Sequence, residues 1–227
     1  MKRIFKTLKK KLKGIPSEEA SPKKFFSAVY KHNLWHGKES LSGTGSEGSF
    51  ATQKILLLER IINEKNIQSI LDLGCGDLYW MVKVIPGLQQ YHGVDVVESV
   101  IKQNTAAHGA ENVHFQCLDL SAKRDQDKLA IRSCDLIICF DVLGHMLNEE
   151  IERFLHFIFY DLDARYILLT NRRDEGSELY LQRPKSRHEG INIQEHPIFK
   201  KHELAPVWKE KAEYPGDFFE LYELPAR

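Results

Sequence analysis

The spacing of apolar positions changes several times along the chain, and each change marks a new element. In ATQKILLLERIINEK (51–65), Ile55, Leu58, Ile61 and Ile62 share one helical face, which predicts an amphipathic helix. Ser69–Leu73 is apolar and β-branched and ends at Gly74, as a strand does. Strand and helix signals then alternate. A short helix is predicted over 78–85, stopped by Pro86-Gly87, then a strand over Tyr91–Val94, a helix over 98–107 and a strand over Val113–Cys117. DLIICF (135–140) is a continuous apolar run, as expected of a strand buried on both faces. A helix over 148–160 and a strand over 166–170 follow, and Val207–Tyr214 and Phe218–Leu224 flank Pro215-Gly216-Asp217 as a hairpin. Strands separated by single helices imply right-handed βαβ units. The predicted fold is α/β, a doubly wound, mostly parallel seven-stranded sheet closed by a C-terminal antiparallel hairpin.

The ends depart from this rhythm. Residues 1–22 read as a basic amphipathic tail, with Ile4, Phe5, Leu8, Leu12 and Ile15 at helical spacing over 1–15 and lysines on the other faces. Such a segment suits contact with an anionic membrane surface; a solvated tail or a helix packed on the domain fits the same pattern. Residues 23–50 hold five aromatics, too many for a linker, and read as a lid-like segment folded over the domain. The stretch SLSGTGSEGS (40–49) is too rich in Gly and Ser for a helix or regular strand. The main domain then runs over 51–227, with a polar, basic insertion at about 172–204.

Composition changes the picture in two places. At 42% apolar and 28% charged residues the chain is globular, so general disorder is excluded. Residues 1–24 hold nine Lys/Arg against two Glu, a net +7, which the remaining 23 basic and 30 acidic residues cancel. The basic character belongs to the tail, and no whole-domain field favours nucleic acid, so none is expected as a partner. Cys75, Cys117, Cys134 and Cys139 show no CxxC or zinc-finger spacing and read as reduced thiols of a cytoplasmic protein, with no metal site.

The chemistry centres on ILDLGCGDLYW (70–80). Gly74 and Gly76 follow a strand and let a ligand approach the main chain, although a tight turn alone also asks for glycine. Acids then recur in register. Asp95 lies 23 residues after Asp72, Asp119 another 24 on and Asp141 another 22 on, each at a strand's C-terminal end. That rim is where ligands of open α/β sheets bind, and Asp95 is placed to accept both hydroxyls of a ribose. Any one of these acids could instead cap a helix; four in register argue for a site. Asp77 occupies the place a pyrophosphate would need, and the third glycine of a dinucleotide fingerprint is missing. A ligand with a positively charged amino group fits better, and a nicotinamide oxidoreductase is disfavoured.

Taken together, LDLGCGD, HGVD (92–95), CLDL (117–120) and FDVLGHM (140–146) resemble the successive motifs of class I S-adenosylmethionine-dependent methyltransferases, over about 51–170. By that resemblance, Asp72, Gly74, Gly76 and Asp77 cradle the methionine part of the cofactor, Asp95 holds its ribose, Asp119 and Leu120 meet its adenine, and Phe140 and Asp141 line the floor near the sulfonium. NLWHGKESLSGTGS (33–46) and RHEGINIQEHPIF (187–199) resemble segments of a bacterial subgroup tied to surface-glycan or capsule modification. The first implies cofactor contacts for Trp35, Ser42 and Gly43. The second, with Asn171, implies an acceptor side that includes Arg187, His188 and Asn192.

A hydroxyl acceptor also needs a base. His145, one turn past Asp141, suits that role near neutral pH or serves as a packing residue; Asp141 orients it or binds cofactor, and His188 and His196 are alternatives. The expected activity is methyl transfer to a hydroxyl of a sugar or glycan precursor. Transfer to another small molecule or an amine, and a non-catalytic cofactor-binding module, remain open alternatives. The expected location is cytoplasmic, with peripheral membrane contact through 1–15.

Overall fold

A computed structural model describes residues 16–17, 20–172, 191–213 and 216–226. The predicted membrane-surface helix at 1–15, most of the acceptor-side insertion, Arg187 and His188 lie outside the described residues. The sheet has seven strands: β1 Ser69–Leu73, β2 Gln90–Asp95, β3 Val113–Cys117, β4 Ser133–Cys139, β5 Asp163–Arg172, β6 Trp208–Lys211 and β7 Asp217–Glu223. Their order is β3-β2-β1-β4-β5-β7-β6. Strands β1 to β5 pair in parallel, and β7 inserts antiparallel between β5 and β6. This is the predicted doubly wound sheet with its antiparallel hairpin. The strand order reverses at β1, which has β2 on one side and β4 on the other, and a crevice opens at their C-terminal ends.

The longer helices are α1 Pro22–Lys31, α2 Gly48–Lys65, α3 Glu98–His108 and α5 Asn148–Asp161; α4 Lys123–Gln126 and α6 Pro197–Lys201 are single turns. Two apolar layers sandwich the sheet. One is built on α5, with Ile151, Phe154, Leu155 and Ile158 against Ile137 and Ile167. The other is built on α2, with Leu57, Leu58 and Ile61 against Ile70, Leu136 and Leu168. Asn66 ends α2 in the left-handed conformation, a standard stop.

Two expectations need correction. Residues 78–85 do not form a helix: Leu78 takes a φ of +59°, which no α-helix accommodates, and two short 3-10 turns, Met81–Lys83 and Ile85–Gly87, follow. The apolar run there reflects burial of a loop. Gly48 and Ser49 open α2 rather than lying outside a helix. The segment over 23–50 contains a helix, α1, started by Pro22 at its first position, where the missing N–H costs nothing. Among the described residues, no helix is long and apolar enough to cross a membrane, and all four cysteines are free thiols.

Candidate functional site

The β1–α glycine turn forms the site's back wall. Gly74 and Cys75 both donate their N–H groups to the Val94 carbonyl, at 2.8 and 3.0 Å. The Gly76 N–H reaches Asp95 Oδ2 at 3.1 Å, and Asn104 of α3 donates to the Gly76 carbonyl at 2.8 Å. Gly74 has a φ of +91°, and a Cβ there would lie 2.3 Å from Val142 Cγ2. Gly76 has a φ of +57°, and a Cβ would meet Ser42 Oγ at 2.4 Å. Both positions demand glycine, for backbone conformation and for space.

This turn opens into a cleft holding about 1120 Å³ of empty space, part of it open to solvent. Asp72, Asp77, Asp95, Asp119 and Asp141 all line it, with Leu120, Phe140 and His145. The acid register read from the sequence thus converges on one place. Each carboxylate is also held by the protein. Tyr91 donates its hydroxyl to Asp72 Oδ2 at 2.7 Å, and burial pushes the Asp72 pKa up to about 7. Asp95 accepts from the N–H groups of Gly76 and Val97, yet burial still holds its pKa above the ordinary value. Asp119 accepts from the Ser121 hydroxyl at 2.6 Å. Burial alone would push Asp141 up, but the Lys54 ammonium, 2.7 Å away, outweighs it and holds the carboxyl below the usual range.

The N-terminal segment covers the cleft. Pro22, Phe26, Tyr30, Trp35, Ser42 and Ser46 contribute to its lining. The Asp77 carboxylate accepts from Ser40 Oγ at 2.9 Å, the Leu41 N–H at 2.6 Å and Ser42 Oγ at 3.0 Å, so it latches this segment to the glycine turn. Glu47 accepts from the N–H groups of Lys38, Glu39 and Ser40 and fixes the loop's shape. Gly43, with a φ of +95°, lies against the Trp35 side chain outside the lining itself. The buried Trp35 indole N–H finds no partner among the described residues. The His145 ring packs on Trp35 at 5.5 Å and on Phe26 at 6.2 Å, so the base candidate sits beneath the cover.

Asn171 and Asn192, the two acceptor-side candidates among the described residues, do not line this cleft. Asn171 is fully buried; it donates to Glu220 Oε2 at 2.6 Å and accepts from the Ile193 N–H at 2.8 Å. Its amide is used in tying the 191–193 segment to β7. His196, an alternative base, is fully buried and caps α6 by accepting from the Ile198 N–H, and burial lowers its pKa.

Sequence reading missed Lys54, Tyr30 and Asn104. For Lys54 the signal was present: Ala51, Lys54, Leu58 and Ile61 follow helical spacing, and a lysine within the apolar stripe of a helix is rarely without a partner.

The glycine turn, the carboxylates of Asp72, Asp95 and Asp119 in one cleft and an orphaned indole N–H beside an aromatic cover fit an aminoacyl nucleoside such as S-adenosylmethionine. Comparison with known proteins points the same way. Residues 71–173 match the family model described as "Methyltransferase domain". A small RNA 2'-O-methyltransferase of Rattus norvegicus is 25% identical over 141 residues, covering 56% of this chain and 35% of that protein. The chain spans about a third of the length of such curated relatives. Among solved structures, an S-adenosylmethionine-dependent methyltransferase from Anabaena variabilis superposes with a TM-score of 0.64, at 13% identity, over 94% of this chain and 99% of that one. The magnesium protoporphyrin IX methyltransferase of Synechocystis PCC 6803, with bound S-adenosylmethionine, gives 0.59 at 15% identity, over 92% and 98%. The chain has the class I methyltransferase fold, and its residues 71–173 match a methyltransferase domain. The expectation that nucleic acid plays no part finds no support here, since the rat relative is named for an RNA substrate.

Proposed function

We propose that the chain transfers a methyl group from S-adenosylmethionine to a sugar hydroxyl, in a glycan or glycan precursor. The observation that carries this reading is the grouping of His145 and Asp141 with the glycine turn and Asp95 in one covered cleft. The cofactor supplies an electrophilic methyl on a sulfonium. Asp95 takes the ribose hydroxyls, Asp119 and Leu120 the adenine, and Asp72 with Gly74 and Gly76 the methionine part. Phe140 forms the floor. Phe26 and Trp35 exclude water from above. His145 accepts the proton of the attacking hydroxyl, and Asp141 orients it. Residues 1–15 would bring the enzyme to an anionic membrane surface, where lipid-linked glycan precursors lie.

A second reading is a ribose 2'-hydroxyl of RNA as acceptor, favoured by the rat relative's name and sharing the same chemistry at the reacting oxygen. One assay separates them. The full chain is incubated with methyl-labelled S-adenosylmethionine and, in parallel, nucleotide sugars, lipid-linked glycans and short RNAs with free or blocked terminal 2'-hydroxyls. Label entering a sugar fraction supports the first reading. Label entering only free-2'-hydroxyl RNA replaces it with the second. Label entering an amine overturns both.

A further inference from the structure

A lysine occupies the buried face of α2. The Lys54 side chain is only 4% exposed, yet it carries a full charge into an apolar layer. Three features compensate it. Its ammonium donates to Asp141 Oδ2 at 2.7 Å and to the Gly45 carbonyl at 2.9 Å, and it lies over the Trp80 and Phe140 rings at 5.9 and 5.6 Å. Gly45 belongs to the 40–47 loop that Asp77 latches over the cleft. Asp141 lies two residues past the end of β4 with a φ of +58°, a left-handed conformation, and its N–H donates to Thr170 Oγ1 at 3.2 Å. One ammonium therefore joins three parts of the site: the scaffold helix, the cover and the acid at the cleft floor.

We propose that Lys54 is a positioning residue that turns the Asp141 carboxylate into the cleft and couples its charge to the seated cover. The proposal rests on the reading of Asp141 as part of the reaction site. The groups that face Asp141 are Lys54 from α2, His145 from the turn after β4 and Thr170 from β5; the buried Cys139 thiol lies two residues before it, and Asp72 on β1 shares the field of Lys54. Lys54 bonds it directly, and its removal would leave this carboxylate without its bonded counter-charge. A lysine that merely anchored the loop through Gly45 would leave Asp141 unaffected.

The test is titration of the Asp141 carboxyl by carbon NMR in the full chain, with Asp141→Asn identifying the signal. In the wild type the midpoint should lie below the ordinary value of about 3.9. In Lys54→Met it should rise by about one pH unit or more, and in Lys54→Arg it should stay within about half a unit of wild type. An unchanged midpoint in Lys54→Met overturns the proposal. A wild-type midpoint at or above the ordinary range overturns it without any variant, so a Lys54→Met chain that fails to fold does not shield it. Calorimetry of the wild type with S-adenosylhomocysteine separates the two claims. A depressed Asp141 in a chain that takes up no S-adenosylhomocysteine supports the pairing and overturns the functional reading. Uptake with an ordinary Asp141 overturns the pairing and leaves the functional reading standing.

Discussion

Asp72 holds its proton to about pH 7, and this makes it a cost to the folded chain that the cofactor should relieve. Burial raises its pKa by about three pH units over the ordinary 3.8. An acid whose folded pKa is raised binds more protons folded than unfolded between the two values. Stability therefore falls as pH rises from about 4 to about 7 and levels off above. Three pH units correspond to about 4 kcal/mol, an upper figure, so about 2–4 kcal/mol is the expected cost at pH 8. Asp72→Asn removes the ionisation and keeps the shape, and its amide oxygen can still accept from the Tyr91 hydroxyl. The cofactor-free variant should match wild type near pH 4 and exceed it by about 2–4 kcal/mol at pH 8, a gain of roughly 5–12 °C in Tm. S-adenosylmethionine affinity should move the other way. A cofactor ammonium beside Asp72 favours the carboxylate, so wild-type affinity should climb with pH up to about 7. The Asn variant should bind at least tenfold more weakly and lose that slope. Thermal melts from pH 4 to 9 and calorimetry check both halves. A variant no more stable than wild type at pH 8, or one less stable there, refutes the reasoning.

Three other outcomes follow from the same geometry. Asp95→Ala removes an acceptor whose charge-assisted bonds are worth about 1.5–3 kcal/mol each, so S-adenosylmethionine affinity should drop at least tenfold by calorimetry. His145→Ala should lower turnover roughly 10²–10⁴-fold and abolish the rise of rate with pH, read on whichever acceptor takes up label. Gly74→Ala should cost roughly 1–3 kcal/mol in a thermal melt, and trimming Val142 to Ala should restore only the part due to the 2.3 Å clash, because the φ of +91° remains.

The sheet was legible because its signals are local. β1 and β4 are buried on both faces and read as largely apolar runs, and each of the first four strands carries an acid at or near its C-terminal end, at spacings of 22 to 24 residues. Where local signals misled, burial came from tertiary packing. Leu78, Trp80 and Met81 are buried in a loop, and their apolar pattern imitated a helix that the Leu78 backbone forbids. α1, by contrast, was readable. Ser21-Pro22 is a helix start, and Phe25 with Val29 and Phe26 with Tyr30 repeat at i,i+4 spacing, as one face of a helix requires.

The site divides along the same line. Its cofactor half lies within single strand-to-turn units, so the glycines and Asp95 could be read from motif and spacing. The other half is made of bonds between distant segments. Ser40 meets Asp77 across 37 positions, Lys54 meets Asp141 across 87, and Asn171 spends its amide on Glu220 across 49. Periodicity reports which face of an element is buried and cannot report which polar partner waits there. Lys54 shows how far the inference can go: its place in an apolar stripe required a counter-charge, because an unpaired buried ammonium costs more than a helix face returns. Asp141, an acid at the end of a neighbouring strand, is the partner that this requirement finds.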